Sequence, residues 1–278
     1  MRQVRVAMMN DRPAAVLAMG GFTSAAPILV GRKMGAATFL HESNAVPGRA
    51  NRLLSRWADE VLVGMAPAVE RFGKSRVVLT GTPVRDEFRG LDQRACRETL
   101  GLPPDQPMVL GIGGSQGARG VNRLITTASS EWLGVSLLHI CGAMDEAEVR
   151  EAYAGTALDV QVHAFLKAMP QALSAATVAV SRAGASSIAE LAAARVPAVF
   201  IPLPNSADDH QRANAAAVVA AGGGQVLEQH ETSPSELGGV VQDLVEDDQA
   251  RANMADGMAT LDRPESAAQI ADRILRRL

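Results

Sequence analysis

Short apolar runs alternate with longer segments whose apolar positions recur at helical spacing, and the alternation continues along almost the whole chain. Residues 14–19 (AAVLAM) read as a strand, and residues 24–34 as the helix that follows it. Residues 37–41 (ATFLH) form a second strand with a helix over about 46–57, and Glu60–Val63 and Val77–Leu79 form two more strands. After the polar stretch 86–92, taken as the connection between domains, a second series opens at residues 108–111 (MVLG). Its strands are residues 135–140, 160–164, 177–180, 198–201 and 224–227, each followed by a helical segment. Strands and helices interleaved in this way predict an α/β protein with parallel sheets covered on both faces. The Ala-rich segments 190–195 and 213–221 suit helices packed closely on such sheets. One feature departs from the pattern: residues 4–10 read as the tail of a helix before the first strand. A doubly wound domain opens with a strand and a phosphate-facing turn, so the sequence is expected to enter its first domain part-way through.

At 278 residues the chain is long enough for two domains. A 47% hydrophobic and 21% charged composition excludes wholesale disorder. Aromatic residues, at 3%, are too few for a stacked single-strand nucleic-acid platform, so no nucleic-acid partner is expected. Two cysteines, Cys96 and Cys141, make neither a disulfide scaffold nor a four-thiolate zinc site. No apolar run approaches the roughly 20 residues that span a bilayer. The opening residues are broken by Asn10, Asp11 and Arg12 before the apolar core of a signal peptide could form. A soluble, cytosolic protein is the expectation. The net charge of −3 hides an asymmetry. Residues 1–58 carry eight Lys/Arg against Asp11 and Glu42, leaving the remainder acidic. A basic first part suits either an anionic membrane or a phosphorylated substrate, or else a set of solvated helix faces.

Four turns at the carboxyl ends of the strands carry glycines and small polar residues, which is where open α/β sheets hold ligands. Gly111-Ile112-Gly113-Gly114-Ser115-Gln116-Gly117 lies between a strand and a helix and lets the backbone approach a phosphate. Gln116 takes the place of the third glycine of the dinucleotide fingerprint, and no acidic residue closes the next strand, so a nicotinamide cofactor is disfavoured. Ser181-Arg182-Ala183-Gly184-Ala185-Ser186-Ser187-Ile188-Ala189-Glu190 offers open N–H groups for a diphosphate and a carboxylate for ribose hydroxyls. The same residues also read as an ordinary helix start with a first-turn Glu. In Asp208-Asp209-His210-Gln211-Arg212-Ala213-Asn214, Gln211 and Asn214 share a helix face. Asp208 and His210 lack a convergent third ligand, so no metal is expected. The fourth turn, His41-Glu42-Ser43-Asn44, places polar groups at a strand's end, where they serve either chemistry or capping.

Taken in order, Gly20-Gly21-Phe22-Thr23-Ser24, His41-Glu42-Ser43-Asn44, Gly81-Thr82-Pro83-Val84-Arg85, Gly113-Gly114-Ser115-Gln116-Gly117-Ala118-Arg119, the 181–190 turn and the 209–214 segment resemble the MurG family. That family converts lipid I to lipid II in peptidoglycan synthesis. The resemblance runs from about Ala14 to the C-terminus. It implies a GT-B fold, two Rossmann-like doubly wound domains facing a cleft, with the first N-terminally truncated. The expected division is residues 1–88, facing acceptor and membrane, and 89–278, binding the UDP-sugar donor, with the last helix, about 264–278, packing back on the first domain. By the resemblance, Asn44 and Arg85 contact the donor and Ser115 belongs to the diphosphate turn. Leu166 addresses uracil through its backbone. Ala185, Ser186, Ser187, Ile188, Ala189 and Glu190 form the ribose–diphosphate turn, with Glu190 on the ribose, and Gln211 meets the sugar hydroxyls.

The implied reaction is an inverting displacement in which the acceptor's C4 hydroxyl attacks the anomeric carbon and UDP leaves, without a cofactor. Helix N-termini and Arg85, rather than a tightly held metal, would stabilise the developing diphosphate charge. The implied partners are UDP-N-acetylglucosamine, a lipid-linked muramoyl-pentapeptide and an anionic membrane surface, with the protein peripheral on the cytoplasmic side of the inner membrane. Family members open with a Gly-Gly-x-Gly-Gly-His loop whose His is the usual general base, and no such loop occurs in these residues. Glu42 is the nearby carboxylate nominated in its place. Two other readings are a UDP-sugar-binding module without catalysis and a UDP-N-acetylglucosamine 2-epimerase of the same fold. The epimerase needs a second donor-cleft carboxylate besides Glu190.

Overall fold

The computed structural model describes residues 1–73, 75–113, 118–204 and 206–278. They form two compact α/β units. The first comprises Met1–Val84, Asn205–Ala217 and Arg263–Leu278; the second comprises Arg85–Pro204 and Val218–Asp262.

In the first unit, α1 (Arg2–Asn10) precedes β1 (Ala15–Ala18), α2 (Ala25–Lys33), β2 (Ala37–Glu42), α3 (Arg49–Leu54), β3 (Glu60–Val63) and β4 (Val77–Leu79). The strands lie side by side as β1-β2-β3-β4, all parallel. Side chains alternate across the sheet. Val16, Ala18 and Leu40 pack with Ile28 of α2 and Leu54 of α3 on one face. Phe39 and Leu62 pack on the other face with Ile270 and Ile274, which lie on the last helix of the chain. Burying each such side chain contributes about 1.5–3 kcal/mol. Glu60, buried at the start of β3, meets Arg76 (3.2 Å), Arg273 (3.0 Å) and Arg277 (3.6 Å), so three guanidiniums compensate one carboxylate and tie that last helix to the sheet. The helix expected over 46–57 is shorter, Arg49–Leu54. Pro47 and Gly48 keep the chain extended until the N-cap, where Gly48 has ψ 154°.

The second unit follows with α4 (Gln93–Thr99), β5 (Met108–Ile112), α5 (Arg119–Ala128), β6 (Ser136–Ile140), α6 (Glu146–Ala152), β7 (Asp159–His163), α7 (Met169–Ala175), β8 (Val178–Ser181), α8 (Ala185–Ala193) and β9 (Ala198–Phe200). β10 (Gly224–Val226), α10 (Pro234–Glu246) and α11 (Asp248–Leu261) complete it, while most of α9 (His210–Ala220) and all of α12 (Ser266–Leu275), which closes the chain, belong to the first unit. The six-stranded sheet runs β7-β6-β5-β8-β9-β10 and is parallel throughout. β5 and β6 are buried along their whole length, as continuous apolar strands covered on both faces must be. One face packs Val109, Leu137 and Val199 against Val121 and Ile125 of α5 and Leu237 and Val241 of α10. Strand order reverses between β5 and β8, which makes that gap the topological switch point.

Candidate functional site

In the second unit, the loops after β5 and β8 flank the switch point. The loop after β8 leads through Gly184 into α8. The first intrahelical bond runs from Ile188 N–H to the Gly184 carbonyl (2.9 Å). The N–H groups of Ala185, Ser186 and Ser187 therefore precede it and project from the positive end of the helix dipole. Ile188, also expected in this turn, has a buried side chain, and its N–H makes that first helical bond. Ala189 lies one residue further into the helix. Glu190, half-buried, has its carboxyl pKa raised by burial, and the positive charge of Arg85 opposes the shift. The structure thus brings Arg85 and Glu190 into one electrostatic neighbourhood. Arg85 is itself exposed, pairs with Glu87 (2.6 Å) and lies 5.2 Å from the Phe88 ring centroid.

Arg182, in the same turn, was not singled out by the sequence reading. Its guanidinium donates to the carbonyls of Ile201 and Pro202 (both 2.9 Å) and to Oε1 of Gln229 (2.6 Å), all neutral acceptors. Burial pulls its pKa down to about 10. It places a cation in the turn that leads into α8. Leu166 lies half-buried in the loop between β7 and α7, next to an exposed Phe165. Ser115 falls outside the described residues.

Beneath the start of the β5–α5 loop runs a buried polar chain. Asn122 Nδ2 donates to the Cys141 carbonyl (2.9 Å) and to Asp145 Oδ2 (2.8 Å), so its Oδ1 is an acceptor. His139 Nε2–H donates to that oxygen (3.1 Å), which leaves Nδ1 to accept from the Tyr153 hydroxyl (2.8 Å). The arrangement holds His139 neutral, and burial lowers its pKa to about 4.

The first unit carries its own polar cleft, of about 670 Å³, at the carboxyl ends of β1 and β2. Glu42, only 4% exposed, sits at its centre. Oε1 accepts from Asn44 N–H (3.0 Å) and Asn44 Nδ2 (2.9 Å), and Oε2 from Gly48 N–H (3.2 Å) and Asn51 Nδ2 (2.8 Å). Both carboxylate oxygens are thereby occupied twice, which suits a structural hub better than the proton acceptor nominated from sequence. Asn51 Oδ1 is buried and has no partner among the described residues. Gly20, at φ 91°, lies so close that a Cβ there would stand 2.9 Å from Asn51 Nδ2.

Asn44 is locked in turn: its Oδ1 accepts from Asn214 Nδ2 (3.0 Å), while Asn214 Oδ1 takes the Ala45 N–H (2.8 Å). Gln211, on the face of α9 shared with Asn214, is held through its N–H by Ser206 Oγ (3.4 Å). His41 is buried. Its Nε2–H donates to the Gly81 carbonyl (3.0 Å) and Nδ1 accepts from Ser43 (3.4 Å), with the pKa lowered by burial. Asp208, considered beside His210 for metal binding, instead meets Arg49 (3.1 Å) and Arg52 (3.8 Å). Among the described residues no three His, Cys, Asp or Glu converge on a metal position.

Residues 1–63 match the glycosyltransferase family 28 N-terminal domain, and residues 108–274 the glycosyltransferase family 28 C-terminal domain. The UDP-N-acetylglucosamine–N-acetylmuramyl-(pentapeptide) pyrophosphoryl-undecaprenol N-acetylglucosamine transferase of Synechococcus sp. (strain JA-2-3B'a(2-13)) is 36% identical over 278 residues, which cover 99% of this chain and 75% of that one. The enzyme of the same name from Xanthomonas euvesicatoria pv. vesicatoria is 39% identical, over 99% of this chain and 64% of its own length. The crystal structure of Acinetobacter baumannii MurG superposes with a TM-score of 0.81 at 29% identity, covering 99% of this chain and 77% of that one. The UDP-GlcNAc 2-epimerase of Neisseria meningitidis, solved with UDP-GlcNAc bound, reaches a TM-score of 0.70 at 14% identity, covering 99% of this chain and 80% of that one, which is a likeness of fold alone.

Proposed function

The chain belongs to glycosyltransferase family 28, among the N-acetylglucosaminyltransferases of the MurG type, and from that premise we propose that it moves N-acetylglucosamine from UDP-N-acetylglucosamine to the C4 hydroxyl of an undecaprenyl-diphospho-muramoyl-pentapeptide, the step from lipid I to lipid II. The observation that carries this reading is the start of α8 at the switch point, where three N–H groups precede the first helical bond and Glu190 follows one turn later. The diphosphate of UDP lies against those N–H groups, and Glu190 accepts from the ribose hydroxyls. Ser115 adds to the diphosphate turn and Leu166 meets uracil through its backbone. Arg85, with the half-buried charge of Arg182 in the turn, stabilises the negative charge that grows on UDP as the sugar leaves. In the first unit, Asn44 and Gln211 address the sugar.

The first unit also supplies the surface for a lipid-linked acceptor at the cytoplasmic membrane face. Met19, Phe22 (87% exposed) and Leu53 present apolar side chains, and Arg49, Arg52 and Arg56 add positive charge. No helix among the described residues is long and apolar enough to cross a membrane.

Calorimetric titration with UDP tests the donor site. Hydrogen bonds to a charged acceptor are worth about 1.5–3 kcal/mol, so Glu190→Ala should weaken UDP roughly 10–150-fold. The unfolding midpoint should stay unchanged. Unaltered affinity would place the uridine diphosphate elsewhere. Turnover of a lipid I analogue separates the transferase from a module that binds UDP-sugar without catalysis.

A further inference from the structure

A second cleft, of about 540 Å³, lies in the second unit at the opposite ends of the strands from the UDP turns. Pro107, Thr177 and Pro197, each immediately before β5, β8 or β9, form part of its wall. Three arginines line it, Arg97, Arg195 and Arg251, against one carboxylate, Asp248, which is already paired with Arg251.

Two of the arginines sit there at a cost. Arg97 is only 6% exposed, yet its guanidinium meets neutral acceptors: Nε–H donates to the Ala175 carbonyl (3.0 Å), Nη1 to the Pro104 carbonyl (3.1 Å) and Nη2 to Thr177 Oγ1 (2.9 Å). Two of its five N–H groups remain without an acceptor among the described residues, and no carboxylate neutralises it. A buried cation is normally paired. Burial, and then the charge of Arg94, lower its pKa. Arg195 stands just beyond the end of α8 with φ 56°, a left-handed helix-end position that glycine usually fills where it occurs. A side chain there is strained. Its guanidinium has no ion-pair partner among the described residues. The C-terminal carbonyls of α7 and α8 offset about half a charge each. With Asp248 counted, a surplus of about one positive charge remains. Leu91, Ala252 and Ala255 supply an apolar wall beside it.

We propose that this cleft is a second ligand site, separate from the UDP turns, which takes the phosphoryl group of a small molecule between Arg97 and Arg195 with its apolar part against Leu91 and Ala252. The site stands whether or not the donor reading does, because no residue is shared between them.

Thermal unfolding of the full chain with inorganic phosphate tests it, at constant ionic strength and with UDP present to occupy α8. The expected dissociation constant for phosphate is roughly 1 mM, the order for a small ion held by two charged groups. Arg195→Glu should weaken it at least about tenfold, the ratio lost with one charged contact. Arg195→Gly should raise the phosphate-free midpoint by releasing the left-handed strain, and should weaken phosphate about tenfold at the same time. Acetate should produce a smaller stabilisation than phosphate. A phosphate response that is absent from the wild type, or equal in the wild type and both variants, would overturn the site. An equal response to acetate would overturn its phosphoryl character.

Discussion

Replacing Glu42 by glutamine and, separately, by alanine distinguishes a structural hub from a proton acceptor. In the native cleft each carboxylate oxygen takes two donors, Asn44 N–H and Nδ2 on one side and Gly48 N–H and Asn51 Nδ2 on the other. Alanine removes all four bonds at once and leaves the buried Asn51 amide with neither its donor nor its acceptor satisfied. Losing several bonds to a buried charged acceptor should cost about 3–5 kcal/mol. Glutamine can keep its carbonyl oxygen toward Asn44. Its new NH2 then faces two donors, but Asn51 carries a free Oδ1 and a flip of its amide turns that repulsion into a hydrogen bond. One bond is lost outright, that from Gly48 N–H, the longest of the four at 3.2 Å. The cost for glutamine should therefore be about 1–2 kcal/mol.

Denaturant unfolding of the three proteins measures those differences, and turnover of UDP-N-acetylglucosamine with a lipid I analogue reads the chemistry. A hub predicts that Glu42→Gln keeps kcat within about tenfold of wild type while Glu42→Ala loses stability and activity together. A general base predicts the reverse pairing, a stable Glu42→Gln whose kcat falls by about 10²–10⁴ with little change in KM. That second outcome would refute the hub. Equal destabilisation by alanine and glutamine would refute the argument from the Asn51 flip.

His139 sets a pH limit on the second unit. Its folded-state pKa, about 4, lies below the ordinary histidine value, so the unfolded chain takes up the proton first and stability falls as the pH drops below about 6.5. Between pH 7.5 and pH 5 the loss should be about 2 kcal/mol in denaturant unfolding. The His139 ring resonances should stay flat by NMR over the same range, and titration of that ring near pH 6.5 would contradict the assignment. At Gly113 a Cβ would stand 2.5 Å from Asn122 Oδ1, an atom that the His139 bond holds in place. Gly113→Ala should therefore destabilise by about 1–3 kcal/mol, read from the unfolding midpoint, and an unchanged midpoint would mean that Asn122 is free to move.

The strands were legible because each is an apolar run bounded by turn residues, a signal that a parallel strand buried on both faces cannot avoid giving. Residues 60–63 and 77–79 appear in the structure with the bounds read from sequence, and β5 runs only one residue further, to Ile112. Turn chemistry was legible for the same local reason: glycine and serine at a strand's end restrict what the backbone there can do. The helix expected over 46–57 begins only at Arg49 because Pro47-Gly48 hold the backbone extended despite the apolar spacing on either side. What sequence spacing could not supply was partnership at long range. The clamp of Glu60 by Arg273 spans 213 residues, and the bond from Asn214 that locks Asn44 spans 170. Glu42 shows how the two kinds of information divide. Its place at the end of β2 follows from a pattern a few residues long, and that place alone made it a candidate for chemistry. Its function depends on how many donors reach it, and two of the four come from Gly48 and Asn51, beyond a turn whose course the pattern misread. Arg182 is the converse case. A single arginine in a glycine turn suggested nothing by itself, yet with three neutral acceptors holding it in the turn before α8 it becomes a fixed positive charge where a leaving diphosphate would need one.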